Sequence, residues 1–457
     1  MAGGTSSCRS GQRVVNQVSA AVARPSDGSG APLESAHLLH ASSVVTGREP
    51  PRRNYEANVG SRVQTLCCVL QRGVVVTAEL KAPMTEELVW ANVMHPRIPL
   101  VYLDLNTIIY IARALRGDTK VRGSYVDLYM AARRAKFEQR AMFPLSGEHL
   151  WEISKITDPK QRGDLADILE TLSDYNYLLG RTVIAELEFE AGMAKIIGED
   201  VSAKSVPLVR PTFGQAFGWV GGVRIRNSAG GDGSDAVRAQ MTDADFDKLM
   251  ARINYEMERR MLRGPSDEDL VALWADPNFR PEVAIEGQKQ RVQWELDTER
   301  VLRENPKWRR GRLRDVICAR EIAHEWMDMY TRMRIDRRKA GMPDFDPSDD
   351  EMRLFMGSMP HTQVAISLKT RYHKNPLHKW TVNDIVDIDA ISVAYAYCEA
   401  VFPDKAVRAA LQNSKELRTI GTFVPRRPEE LTDWMDGLPT VVAPDLLVPH
   451  PIPRPVG

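Results

Sequence analysis

The apolar positions of this chain fall into short runs of strand length, separated by stretches of helical spacing, and several runs end on an acid. Leu100–Leu103 is one such run. Asp104 stands at its carboxyl end, and Thr107–Leu115 predicts the helix that follows. Residues 125–140 predict an amphipathic helix with a basic outer face, and 142–145 a second short strand. Ser146 then caps a helix carrying Glu148 and Glu152 one turn apart. Leu165, Ile168, Leu169 and Leu172 keep helical register through 161–179. The clearest pattern lies at 380–405. Ile388, Ile391, Tyr395 and Cys398 step by three, four and three, which puts them on one face of a buried helix. Thr381 and Asp384 read as its opening capping box, so the acids Asp384, Asp387 and Asp389 gather near its start. An apolar strand, 400–402, follows and ends at Asp404. A helix over 406–417, a strand over 419–424, a last helix near 426–435 and a Pro-rich end without structure complete the expectation.

Between 200 and 365 the pattern changes. Residues 211–236 are Gly-rich but lack the Gly-Lys-Ser/Thr ending of a phosphate-binding loop. Residues 243–263 and 281–303 predict polar helices. The stretch 306–339 is basic: Arg309, Arg310, Arg312 and Arg314 lie among Trp308, Trp326 and Tyr330. One reading is a solvated helix face with internal ion pairs. The other is a surface that tracks phosphates while its aromatics stack on bases, joined by Arg371 and Lys374. His324-Glu325 lacks a second histidine four residues on, so it is no zinc motif.

With 457 residues the chain can form two or three domains, or one with a large insertion. The 61 Lys and Arg balance the 61 Asp and Glu, so net charge names no partner. The five cysteines, at 8, 67, 68, 318 and 398, show neither metal-ligand spacing nor a disulfide framework, which predicts a reducing compartment. No apolar run reaches membrane-span length and no secretory leader is evident. A cytoplasmic protein without a membrane partner is expected. Residues 1–83, rich in Ser, Gly, Ala, Val and Arg, read as a disordered or non-native extension with Met84 as an alternative start, or as a targeting peptide.

Taken singly, Asp104 reads equally well as a helix cap, and Glu152 better as part of a solvated helix face. Together, Asp104, Glu152, Asp387 and Asp404 flank short strands that alternate with helices. That order predicts a parallel sheet with helices on both faces, its strand ends gathered on one edge. Two carboxylates about 4 Å apart repel by roughly 4 kcal/mol at an effective dielectric near 20, so such a cluster calls for a cation. Carboxylates select hard ions, Mg²⁺ or Mn²⁺, and such an ion activates water against phosphodiesters. No Ser-His-Asp or Cys-His grouping competes for the nucleophile.

At these residues the chain resembles PIN-domain nucleases. LVYLDLNTIIYIA is similar to their first strand and helix, FPLSGEHLWEISK to the second element, and NDIVDIDAISVAYAYCEAVFPDK to the later acid motifs, with Pro403 where a Thr or Ser is usual. The resemblance covers roughly 98–190 and 365–435. It implies a three-layer α/β/α fold with a central, mostly parallel sheet. Residues 98–199 would form its first half, 200–365 an inserted helical subdomain, 366–436 the second half and 437–457 a Pro-rich tail. It also implies a metal-dependent ribonuclease acting on single-stranded RNA, with Asp104, Glu152, Asp387 and Asp404 as catalytic metal ligands and Asp384 as a further ligand. Asn106 would support them, and Asp389 would face away. A non-catalytic nucleic-acid-binding protein and a structure-specific DNA nuclease stay open as alternatives, as does a homo-oligomer.

Overall fold

A computed structural model of the chain describes residues 88–450, apart from 201–204, 219–224, 226–231, 266–268, 270, 272–273 and 276–279. The extension expected over 1–83 lies outside the described residues, as do parts of the Gly-rich loop. The chain opens with strands β1 (Val93–Pro96) and β2 (Val101–Leu103). Helices α1 (Leu105–Leu115), α2 (Ser124–Phe137), α3 (Gly147–Ser154) and α4 (Pro159–Ser173) follow. Next come β3 (Asn176–Leu178), α5 (Arg181–Ile197), β4 (Val206–Pro207) and β5 (Val209–Pro211). The middle is helical: α6 (Asp243–Arg263), α7 (Pro281–Glu304), α8 (Leu313–Glu321), α9 (Met327–Lys339), α10 (Asp349–Ser358) and α11 (Pro360–His373). The chain ends with α12 (Val382–Tyr397), β6 (Ala400–Phe402), α13 (Lys405–Asn413), α14 (Pro428–Asp436) and β7 (Leu447–Pro449).

At the centre β2 pairs in parallel with β6, Val101 opposite Ala400 and Leu103 opposite Phe402. Side chains alternate across a strand. Val101, Leu103, Ala400 and Phe402 therefore enter one core with Ile108 of α1, Leu128 of α2 and Leu165 of α4. Tyr102 and Val401 enter a second core with Ile184 of α5, Leu368 of α11 and Ile391 of α12. Helices thus cover both faces of the parallel pair. Single parallel bridges continue it outward, from Leu100 to Met142, Leu145 to Tyr177 and Ala400 to Phe423. The protein is mixed α/β, dominated by helix, with small parallel and mixed sheets.

The broad sheet expected from the strand pattern is broken into these pieces for local reasons. Pro144 has no N–H to give a ladder, so 142–145 makes bridges and no full strand. Lys415–Ile420 winds into 3₁₀ helix that closes on Gly421 at φ 77°, which leaves only Phe423 of the expected strand to bridge. The helix expected through 179 stops at Ser173, where Asp174 and Tyr175 turn left-handed (φ 47° and 55°) and release β3. The region expected as an insertion begins inside the fold: β4 pairs with β1 and β5 with β3. Its helices share cores with the rest. Met261 and Leu262 of α6 join the first core, and Trp326, Phe345 and Phe355 pack on Phe189 of α5. The Pro-rich end is anchored too, since β7 pairs antiparallel with β1. Among the described residues no helix is long and apolar enough to cross a membrane.

Candidate active site

Because β2 and β6 run in parallel, their carboxyl ends lie side by side. Asp104 follows one strand and Asp404 stands two residues beyond the other. The Asp104 N–H donates to the Phe402 carbonyl at 3.4 Å, and Thr107 Oγ1 donates to the same carbonyl at 3.2 Å. Asp104 occupies the N-cap position of α1 but makes no side-chain cap bond. Its carboxylate instead accepts from Asn106 Nδ2 at 3.5 Å, and the backbone of Leu105 and Asp404 favours its charged form. So Asp104 is held across the strand pair, and Asn106 supports it as expected. Asp404 divides its work: Oδ1 accepts from the Val407 N–H at 2.7 Å and caps α13.

Glu152 of α3 and Asp387 of α12 lie within electrostatic reach of Asp104 and Asp404. Burial, then the Asp404 charge, pushes Asp104 up to about 6. Burial, then Asp104, with Asp404 further off, pushes Glu152 up to about 8 against the pull of Lys155. Burial, then Asp104, Glu152 and Asp404 in turn, pushes Asp387 up to about 8. Each of these three carboxyls is disfavoured in its charged form by burial and by other members of the group. Two further groups sit there that the sequence pattern did not single out. Lys155 feels both Glu152 and Asp387, and its Nζ donates to Asn383 Oδ1 at 3.0 Å. The half-buried Tyr372 hydroxyl is pushed up by burial and then by Asp387 and Asp404. Lys155 lies three residues after Glu152 on one helix face, a spacing that could have flagged it. Tyr372 gave no such signal.

Asp384 has a different occupation. Its Oδ2 accepts from the Thr381 N–H and hydroxyl, both at 2.7 Å, and the Asp384 N–H donates back to Thr381 Oγ1 at 3.3 Å. Its Oδ1 lies 3.4 Å from His378 Nε2. The capping box is therefore formed, with Oδ2 serving the helix start and Oδ1 facing His378. Asp384→Ala is expected to lower stability by about 1 kcal/mol and to leave Mn²⁺ affinity unchanged, as a denaturation curve and a metal titration would show. Asp389 points away from the site, as expected, because residues two apart on a helix face opposite ways. There it meets Arg291.

The basic stretch 306–339 needs correction as an open phosphate-tracking face. Arg309 is half-buried; it donates to Glu299 at 2.6 Å and to the His373 carbonyl. Arg314 donates to Ser367 Oγ at 2.7 Å and Gln363 Oε1 at 2.6 Å. Arg312 lies 3.8 Å from Asp315. Groups distant in sequence take up Arg309 and Arg314, which makes these two struts between helices, while Arg312 pairs with its near neighbour Asp315. Of the cations expected to contact nucleic acid, Arg310, Arg371 and Lys374 are exposed.

The donor set at 104, 152, 387 and 404 is all oxygen. Burial and mutual repulsion raise three of its four acids, a mismatch that a divalent cation removes. Among the described residues no three acidic, histidine or cysteine side chains stand close enough, as placed, to share one ion. Mg²⁺ needs only one or two direct carboxylates and keeps several waters, so the set fits an ion held largely through water. No family model, no curated protein and no solved structure matches the chain.

Proposed function

We propose that this chain is a cytoplasmic, divalent-metal-dependent nuclease of PIN-like fold that hydrolyses phosphodiester bonds in single-stranded RNA. The observation that carries the reading is the placement of Asp104 and Asp404 at the ends of the parallel pair β2–β6 within electrostatic reach of Glu152 and Asp387, with Asp104, Glu152 and Asp387 each pushed up by burial and by their neighbours. Perturbed acids gathered at strand ends are where α/β proteins place chemistry. Asp104, Glu152, Asp387 and Asp404 would hold Mg²⁺ or Mn²⁺, which when bound supplies a water of lowered pKa and stabilises the leaving oxygen.

The chain's own groups do the rest. Lys155 sets a cation beside Glu152 and Asp387, where an incoming phosphate needs one. Helices α1 and α13 both start at the site, so their amino-terminal N–H groups favour an anion there. Asn106 fixes the Asp104 carboxylate. Exposed Arg310, Arg371 and Lys374 are offered to the more distant backbone of the RNA.

Matched single-stranded RNA and DNA oligonucleotides, incubated with the purified chain and Mn²⁺, test the reading. RNA is expected to be cut, and EDTA to stop the cutting. Binding that survives EDTA with no cleavage under any condition would leave a nucleic-acid-binding protein in place of an enzyme. Cleavage confined to DNA would reassign the substrate.

A further inference from the structure

The two helices that leave the carboxylate site also frame a surface beside it. Asn106 and Tyr110 lie four residues apart on α1 and share its exposed face. Tyr110 is 41% exposed. Its ring centroid stands 5.1 Å from that of Tyr125 on α2, with the planes inclined by 31°. The Arg113 guanidinium lies 6.0 Å from the Tyr110 ring. On α13, Arg408 sits one turn beyond Asp404, roughly 6 Å along the helix axis. Its guanidinium lies 4.9 Å over the ring of Phe402, at the strand end that carries the site. The Arg408 charge also reaches the Tyr125 hydroxyl, as does that of Glu429. Tyr125 thus stacks with Tyr110, and Arg408, over Phe402, stands at the strand end next to Asp404. Arg122 and Lys405, both exposed, flank it.

An exposed tyrosine backed by a half-buried one, with an arginine nearby, is the chemistry that holds one nucleotide of a single strand. The ring face stacks on a base of any identity, and the guanidinium meets a backbone phosphate. Paired bases in a duplex are already stacked and offer no free face to such a surface. We propose that Tyr110, Tyr125 and Arg408 form the subsite for the nucleotide next to the scissile phosphate of single-stranded RNA. The proposal rests on the nuclease reading and adds to it the place and the mode of substrate binding. It also shifts the main nucleic-acid contact away from 306–339.

The test uses the full chain, with fluorescence anisotropy of a labelled single-stranded oligoribonucleotide in Ca²⁺ and, separately, its cleavage in Mn²⁺. Tyr110→Ala is expected to weaken binding roughly tenfold at unchanged melting temperature. Tyr110→Phe, which keeps the ring, is expected to bind like wild type. Arg408→Gln is expected to weaken binding across sequences and to lower the salt slope by about one. A duplex of the same sequence is expected to be insensitive to Tyr110→Ala. If wild type binds and cuts the oligonucleotide and both Tyr110→Ala and Arg408→Gln do so equally well, the subsite is overturned and the nuclease reading stands. If wild type neither binds nor cuts it, both are overturned.

Discussion

Asp387→Asn is expected to reduce Mn²⁺-dependent RNA cleavage at least about 100-fold, because the metal supplies several kcal/mol and each 1.36 kcal/mol is tenfold. Asp104→Asn is expected to do the same. The metal-free protein is expected to respond in the opposite sense. Glu152 and Asp387 are raised to about 8 in the fold, against roughly 4 for an unfolded carboxyl. A raised carboxyl binds its proton more tightly when folded, so its penalty is absent below about pH 4, grows as pH rises, and is complete above about pH 8. Metal-free wild type should therefore lose melting temperature between about pH 5 and 8. Asp387→Asn should melt higher than wild type at pH 8 and converge with it near pH 5. Mn²⁺ should raise the melting temperature of wild type and not of the variant. Calorimetry across pH, with and without Mn²⁺, reads all of this. A variant that cuts RNA normally, or a wild type whose stability rises steadily from pH 5 to 8 without metal, contradicts the account of this site.

The second large effect lies behind the site. Arg291 of α7 grips Asp389 of α12 with two bonds, 2.5 and 2.8 Å, and donates to Glu325 at 2.9 Å. Arg181 of α5 adds contacts of 3.2 Å to Asp389 and 3.0 Å to Glu325. Nearby, the buried Lys369 of α11 meets Glu295 at 2.7 Å and Glu321 at 2.6 Å. Burial opposes the charge on Glu325, yet Arg291, Arg181 and Lys369 together hold it well below the usual carboxylate range. Lys369 and His373 likewise overcome burial and hold Glu295 down at about 2. Arg291→Met strands Asp389 and Glu325 without their main cation. Breaking a buried pair from one side costs about 3–5 kcal/mol, so the urea midpoint should fall accordingly. The double change Arg291→Met with Asp389→Leu should recover a large part of the loss, because it removes the stranded charge as well. Cleavage should fall in the single variant too, since Asp387 rides the helix that Arg291 anchors. An unmoved midpoint in Arg291→Met would show that this network does not hold α12 in place.

The parts of this molecule that were legible in the sequence rest on short-range rules. The run Leu100–Leu103 ending at Asp104, the box of Thr381 and Asp384, and the helical stepping from Ile388 to Cys398 all depend on neighbours within a few residues. They appear in the structure where they were expected. What could not be read depends on partners far along the chain. Helix α11 looks polar, with His361, Gln363, Ser367, Lys369 and His373, yet it is almost wholly buried. Its polarity is answered by Glu188, Glu295, Glu299, Glu321 and Arg314 from other helices. Helix α5 holds a further pairing of this kind. Its Glu188 is fully buried and accepts from the Tyr397 hydroxyl at 2.7 Å. The arginines at 309 and 314 read as a free basic face because nothing local shows Glu299, Gln363 or Ser367 waiting for them. Likewise Asp104, ambiguous alone, gains meaning only beside Asp404, which a parallel strand pair brings across a sequence gap that no periodicity spans.

Electron paramagnetic resonance of Mn²⁺ titrated into the full chain puts the shared carboxylate space to its most direct test, because it reads the metal without requiring a substrate. Wild type is expected to remove the free-ion signal up to a fixed stoichiometry, and Asp387→Asn to leave most of that signal in place at the same concentrations. A wild-type chain that leaves the free-ion signal untouched, or an Asp387→Asn chain that quenches it equally well, contradicts a divalent-cation site among Asp104, Glu152, Asp387 and Asp404.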